Sequence, residues 1–181
     1  MTEDESRPPS LAEWACLGAL YAGTAHGWAI ARRLRADGDL GRVWQLSRPL
    51  TYRAIDHLTE RGWIVPVGEE ASTDGPTRTL LTATRRGRAE LRTWVGTPVE
   101  QIRDLRSELL LKLLFARQHG IEVGRMLAAQ REIVRARRAA LVAELGDHPA
   151  DLVVRWRLEM ATAADRFLDL TPDQRDERAG Q

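Results

Sequence analysis

One cysteine, Cys16, is present among 181 residues, so no intrachain disulfide and no thiolate cluster can be built, and a reducing, cytoplasmic setting is expected. Long apolar runs are missing as well. A charged residue interrupts every candidate, Leu109 to Phe115 included, well short of the roughly 18 residues that a membrane span requires. Met1 to Ser10 is polar and acidic with Pro8-Pro9, unlike the basic start and apolar middle of a secretory signal, and reads as a loose tail. An excess of either charge is also lacking: 27 Lys+Arg against 26 Asp+Glu leave a net charge of +1, so any polyanion-binding surface must be local. Lysine itself is reduced to Lys112. The positive charge is therefore almost all arginine, which suits bidentate contacts to phosphate and guanine and is equally what a compositional bias would leave. His26, His57, His119 and His148 fall on different elements with no cysteine or carboxylate at ligand spacing. With no glycine-rich phosphate loop, nucleophile elbow or triad-like grouping, no catalytic residue, metal ligand or cofactor is expected. Glu108 near Lys112, and Glu159 with Asp165, read as surface charge pairs on helices.

What is there is helical periodicity with sharp stops. Ser10 and Glu13 make a capping box ahead of Leu11, Trp14, Leu17, Leu20 and Tyr21, so a first helix starts there and ends near Gly23. His26-Gly27-Trp28-Ala29-Ile30 opens a second helix through Leu34, broken by Gly38 to Gly41. Ser47 is the expected N-cap of a third, Arg48 to Glu60, with Pro49 in its first turn and Gly62 closing it. Helical spacing puts Leu50, Ala54, Ile55 and Leu58 inward and Arg48, Thr51, Tyr52, Arg53, Asp56 and His57 outward.

Trp63 to Val67 and Thr77 to Ala83 have strand composition, and the glycine- and acid-rich Gly68 to Pro76 between them predicts a long hairpin loop. A fourth helix follows Thr84, carrying Leu91, Trp94 and Val95 inward. Gly96-Thr97-Pro98 marks a seam. Beyond it, Ser107 to Gln118 is apolar on nearly all sides, Ile121 to Leu145 is long and amphipathic, and Asp151 to Leu170 carries Leu152, Trp156, Met160, Ala163 and Phe167 along one seam before Thr171-Pro172. Such helices seek partner helices. The organisation expected is a tail (1–10), a winged helix-turn-helix domain (11–95), a helical dimerisation domain (96–172) and a second tail (173–181): a mainly α protein with a small β-hairpin.

The residues from Leu17 to Leu34 (L-G-A-L-Y-A-G-T-A-H-G-W-A-I-A-R-R-L), from Trp44 to Ile55 (W-Q-L-S-R-P-L-T-Y-R-A-I), and the R-R-G-R-A-E-L after the hairpin together resemble the PadR family of transcriptional regulators. His26-Gly27-Trp28 is similar to that family's His-Gly-aromatic opening of the second helix. Many members begin the recognition helix Ser-Pro-Gly-x-Leu-Tyr; here it reads Ser47-Arg48-Pro49-Leu50-Thr51-Tyr52, with Tyr52 in place, the proline displaced by one and an arginine added. S-E-L-L-L-K-L-L-F-A and the closing helix with Trp156 are similar to the C-terminal region of the two-domain subfamily, which implies dimerisation there.

The resemblance implies a homodimeric regulator, more often a repressor, that places its third helix in the major groove of double-stranded DNA and reads an inverted repeat with half-sites roughly 34 Å apart. Arg48 and Arg53 would then meet phosphate or guanine, Thr51, Tyr52 and His57 would share the same face, Ser47 would cap the helix and offer its hydroxyl, and Thr77 and Arg78 would approach from the hairpin. The hairpin tip, with Glu69, Glu70 and Asp74, is acidic and repels phosphate. Arg85, Arg86 and Arg88 open the next helix where its dipole disfavours them, so either a phosphate or plain solvent attends them. Six tryptophans leave two readings for Trp14, Trp94 and Trp156: core and interface packing, or, as the resemblance implies, a site for a small planar aromatic effector between subunits. A reading of another class is a helical small-molecule-binding or adaptor protein whose winged helix makes protein contacts.

Overall fold

The computed structural model describes residues 7–72 and 75–171; the expected tail ends, the acidic Asp74 and the stop at Pro172 lie outside them. The chain divides into two units, Met1–Trp94 and Val95–Gln181.

In the first unit, α1 (Leu11–Ala19) begins at Ser10, whose hydroxyl accepts the Glu13 N–H at 3.3 Å. A short strand β1 (Thr24–His26) leads directly into α2 (Gly27–Arg33). His26 caps α2 with its ring: Nδ1 accepts the Ala29 N–H at 3.0 Å. The third helix, α3 (Arg48–Glu60), runs over the span that Ser47 and Gly62 predict, and Gly62 takes the left-handed conformation (φ 67°) that stops it. The inward stripe is Thr51, Ala54, Ile55 and Leu58. Leu50, expected inside, is 47% exposed, and Thr51, expected outside, is fully buried. At about 100° per residue, Thr51 sits at the centre of the arc defined by Ala54, Ile55 and Leu58, while Leu50 falls roughly a quarter-turn away. The Thr51 hydroxyl is satisfied by donating to the Ser47 carbonyl at 3.0 Å.

β2 (Ile64–Ser72) and β3 (Gly75–Ala83) form an antiparallel hairpin, with β1 on the other side of β3, giving the order β1-β3-β2. The long loop expected over Gly68 to Pro76 is instead mostly strand. Pairing continues through Glu69↔Thr79 and Glu70↔Arg78, and Gly68 is absorbed by a register shift between Pro66 and Gly68, with a second shift between Glu70 and Ser72. α4 (Arg85–Val95) follows, capped by the Thr84 hydroxyl, which accepts the Gly87 N–H at 3.0 Å. Three short helices against a three-stranded sheet with an extended hairpin make a winged helix-turn-helix.

The core under α3 is aromatic at one end. Trp14 stacks on Trp94 (centroids 5.1 Å, 10° between planes) and tilts against Trp63 (5.3 Å). Cys16, on the same helix as Trp14, is fully buried, and burial, helped by the Glu13 charge, pushes its thiol up to about 12.

In the second unit, a 3-10 turn (Ile102–Asp104) and one π-helical turn (Leu105–Leu109) run into α5 (Leu110–His119), then come α6 (Gly124–Asp147) and α7 (Leu152–Leu170). Asp151 caps α7, accepting the N–H groups of Val153 and Val154 at 2.8 and 3.1 Å. α6 and α7 form an antiparallel hairpin over Leu141, Val154 and Ala161, stitched by Arg135 and Arg138 to Asp165 (3.4 and 3.3 Å) and by Arg135 to Asp169 (3.0 Å). Buried polar groups pin the start of this unit. The Gln130 amide pairs with both backbone groups of Val99 (2.6 and 2.8 Å), and the Lys112 ammonium donates to the Thr97 carbonyl and meets Glu108, each at 2.7 Å. Desolvation holds the Lys112 pKa below the usual lysine range.

Candidate nucleic-acid interface

The outer face of α3 presents Ser47, Arg48, Tyr52, Arg53 and Asp56, all exposed. Arg48 lies over the Tyr52 ring, its guanidinium carbon 5.6 Å from the ring centroid, a cation–π contact that uses none of its N–H groups as hydrogen-bond donors. Ser47 occupies the N-cap position without a side-chain cap bond, which leaves its hydroxyl to other partners, contrary to the capping role expected of it. Thr51 is withdrawn into the core and cannot reach a ligand. His57 is turned aside: its Nδ1 lies 3.5 Å from the buried carboxylate of Glu13 and 3.3 Å from Arg7. Glu13 also meets Arg7 at 2.7 Å and Arg61 at 3.3 Å, so one buried acid gathers cations from the segment before α1 and from the end of α3. A partner 44 residues away cannot be read from the helical spacing that set His57 outward.

Between α3, the start of α2 and the hairpin lies a cleft of about 550 Å³ whose walls include Trp28, Arg48, Tyr52, Asp56, Thr77 and Arg78. Thr77 is exposed at its rim. Arg78 is half-buried, its guanidinium 5.3 Å from the centroid of Trp28, with Arg32 approaching the same ring at 5.1 Å. Neither Trp28 nor Arg32 was expected among the site residues, although Trp28 is the aromatic of the His-Gly-aromatic signature. Its 41% exposure is the signal that only coordinates supply. His26 ties the hairpin to α2: its Nε2 lies 3.4 Å from Glu70 and 3.4 Å from Arg78. Gly27 allows α2 and α3 to approach, since a methyl group there would lie 2.9 Å from Tyr52 Cε1.

Of the arginines opening α4, Arg85 and Arg86 are exposed, whereas Arg88 donates to the Tyr21 carbonyl at 2.9 Å and to the Thr82 hydroxyl at 3.3 Å and is structural. Trp14 is enclosed by Trp63 and Trp94 in the first unit. Trp156, in the second, is 66% exposed. No group of three or more metal-ligating side chains occurs among the described residues, and no described helix is long and apolar enough to cross a membrane.

No protein-family model and no curated protein sequence matches the chain. Solved structures do. Among them the chain is similar to PadR-type regulators. Bacillus subtilis PadR in complex with operator DNA aligns at 20% identity over 90% of this chain and 98% of that one, with a TM-score of 0.48. A second crystal structure of Bacillus subtilis PadR aligns at 21% identity over 91% of this chain and 94% of that one, TM-score 0.42. A PadR-like transcriptional regulator from Bacillus cereus aligns at 18% identity over 91% and 95%, TM-score 0.41.

Proposed function

We propose that this chain is a PadR-like transcriptional regulator that binds an inverted-repeat operator in duplex DNA as a homodimer and acts mainly as a repressor. The observation that carries the reading is the outer face of α3, where Ser47, Arg48, Tyr52 and Arg53 stand exposed beside a cleft bounded by the arginine-bearing strand β3. A helix of about 20 Å (α3 has 13 residues) fits the major groove, and its exposed guanidinium groups suit guanine edges and phosphate oxygens. Thr77 and Arg78 would contact the flanking backbone. Dimerisation through α7 is supported by the apolar side chains it leaves exposed, Leu152, Val153, Trp156, Phe167 and Leu170.

Release by a planar aromatic effector is part of the proposal. Of Trp14, Trp94 and Trp156, the last offers an open ring face, and saturable quenching of tryptophan emission by such compounds is the assay.

One observation favours the adaptor reading: Asp56 and Glu60 share the outer arc of α3, and Glu69 and Glu70 line the exposed hairpin, all repelling phosphate. Fluorescence anisotropy with duplex DNA from upstream of the protein's own gene decides. The regulator reading expects tight, steeply salt-dependent binding that an Arg48→Ala/Arg53→Ala variant loses; equal, salt-insensitive binding by both proteins would leave the adaptor reading standing.

A further inference from the structure

We propose that Arg32 and Arg78, held on one indole ring by Trp28, form a clamp for a single backbone phosphate of a bound duplex. The inference rests on the DNA-binding reading above and adds to it a subsite built from α2 and β3, outside the recognition helix.

Two guanidinium carbons at 5.1 and 5.3 Å from one ring centroid are at most about 10 Å apart, roughly a Debye length, so they repel each other at an exposed site. Neither forms an ion pair among the described residues. Glu70, opposite Arg78 in the strand register, has its carboxylate 3.4 Å from His26 Nε2 and forms no ion pair with Arg78. His26 is the one hydrogen-bond contact of the Arg78 side chain among the described residues, and it is not an anion. Because Nδ1 accepts the Ala29 N–H, the proton of a neutral ring is on Nε2, which lies 3.4 Å from the Glu70 carboxylate. Arg78 Nη1, 3.4 Å from that same nitrogen, faces a donor. Asp56, on the far wall of the cleft, is in no ion pair with either arginine. Holding a guanidinium against an indole face uses none of its N–H groups as hydrogen-bond donors, so both arginines keep N–H groups for phosphate oxygens. A phosphodiester within reach of both would offset the repulsion and give the two guanidiniums an anionic acceptor.

The test measures anisotropy of the full chain with its upstream duplex and with a scrambled duplex of equal length, from 50 to 200 mM salt. Arg32→Ala and Arg78→Ala are each expected to weaken binding about tenfold on both duplexes and to flatten the slope of log K against log salt by about 0.9, one phosphate's worth. The double variant should be no flatter than either single one. Arg78→Lys keeps the charge and should keep the slope while losing affinity, and melting curves confirm that each variant is folded. A slope reduced twice over by the double variant would show two separate contacts, a loss confined to the upstream duplex would show base reading, and unchanged binding would show no contact; each overturns the clamp while leaving the regulator reading intact. Wild-type protein that binds neither duplex overturns both.

Discussion

Gly27 and Tyr52 meet where α2 crosses α3, with room for a hydrogen but not a methyl group on the glycine, 2.9 Å being the distance a Cβ there would have from Tyr52 Cε1. The obstacle is the end of a ring that can swing, so Gly27→Ala is expected to cost only about 1 kcal/mol of stability. The swing displaces Tyr52 and the Arg48 guanidinium stacked on it. DNA affinity should fall about tenfold, roughly 1.4 kcal/mol, and the loss should exceed any change in a urea melt. A variant that binds as tightly as wild type would show that Tyr52 is not part of the reading surface.

Glu13 is the electrostatic hub beneath α3. Replacing it with glutamine keeps the shape and removes the charge facing Arg61, which is itself nearly buried. Breaking one side of such a pair leaves an uncompensated cation, so Glu13→Gln is expected to destabilise the first unit by about 3 kcal/mol. Glu13→Leu combined with Arg61→Met should recover most of it, as chemical denaturation of the three proteins will show.

Alkali should affect the two units in opposite directions. The folded-state pKa of Cys16 is raised to about 12, so the unfolded thiol ionises first: its contribution is fully present below about pH 9 and is lost as pH climbs towards 12, by up to about 1.4 kcal/mol per unit. For Lys112 the folded value is lowered, so between that value and the ordinary lysine range the unfolded state holds more protons, and stability rises with pH. Difference curves against Cys16→Ala and Lys112→Met, taken from urea melts across the alkaline range, should slope in these opposite senses.

The exposed side chains on α7 are predicted to be an interface between copies. Trp156→Asp should leave the helical circular dichroism unchanged, since the ring is mostly in solvent, yet shift the mass in light scattering from dimer to monomer and weaken operator binding. A wild-type protein that runs as a monomer at micromolar concentration would remove the basis for two-half-site recognition.

Much of the fold is legible in the residues because its stops are local. Ser10 and Gly62 bound their helices through interactions within a turn or two, and α3 is found over the span between Ser47 and Gly62 although the Ser47 hydroxyl makes no cap bond. The hairpin was harder. Gly68, Glu69 and Glu70 resemble a loop in composition, but cross-strand pairing with Thr79 and Arg78 holds them extended, and β1 is only three residues long, too short to carry a period. At the site, the exposure of Arg48, Tyr52 and Arg53 follows from helical spacing. The withdrawal of Thr51 follows from the same spacing, since Ala54, Ile55 and Leu58 centre their arc on it and not on Leu50, whereas the turning aside of His57 depends on Glu13, which only tertiary structure brings near. Trp28 and Arg32 were hidden for a related reason: what marks them is a neighbour on β3, about fifty residues on.

The side-chain amide of Gln130 satisfies the backbone of Val99 as a neighbouring strand would, with one bond given and one received in a place closed to water. A helix held in this way cannot slip along the segment by a fraction of a step, because both bonds would have to break before new ones formed. Turning α6 must therefore drag Val99 along with it, which makes this amide a rigid coupling between the longest helix and the peptide that enters its unit.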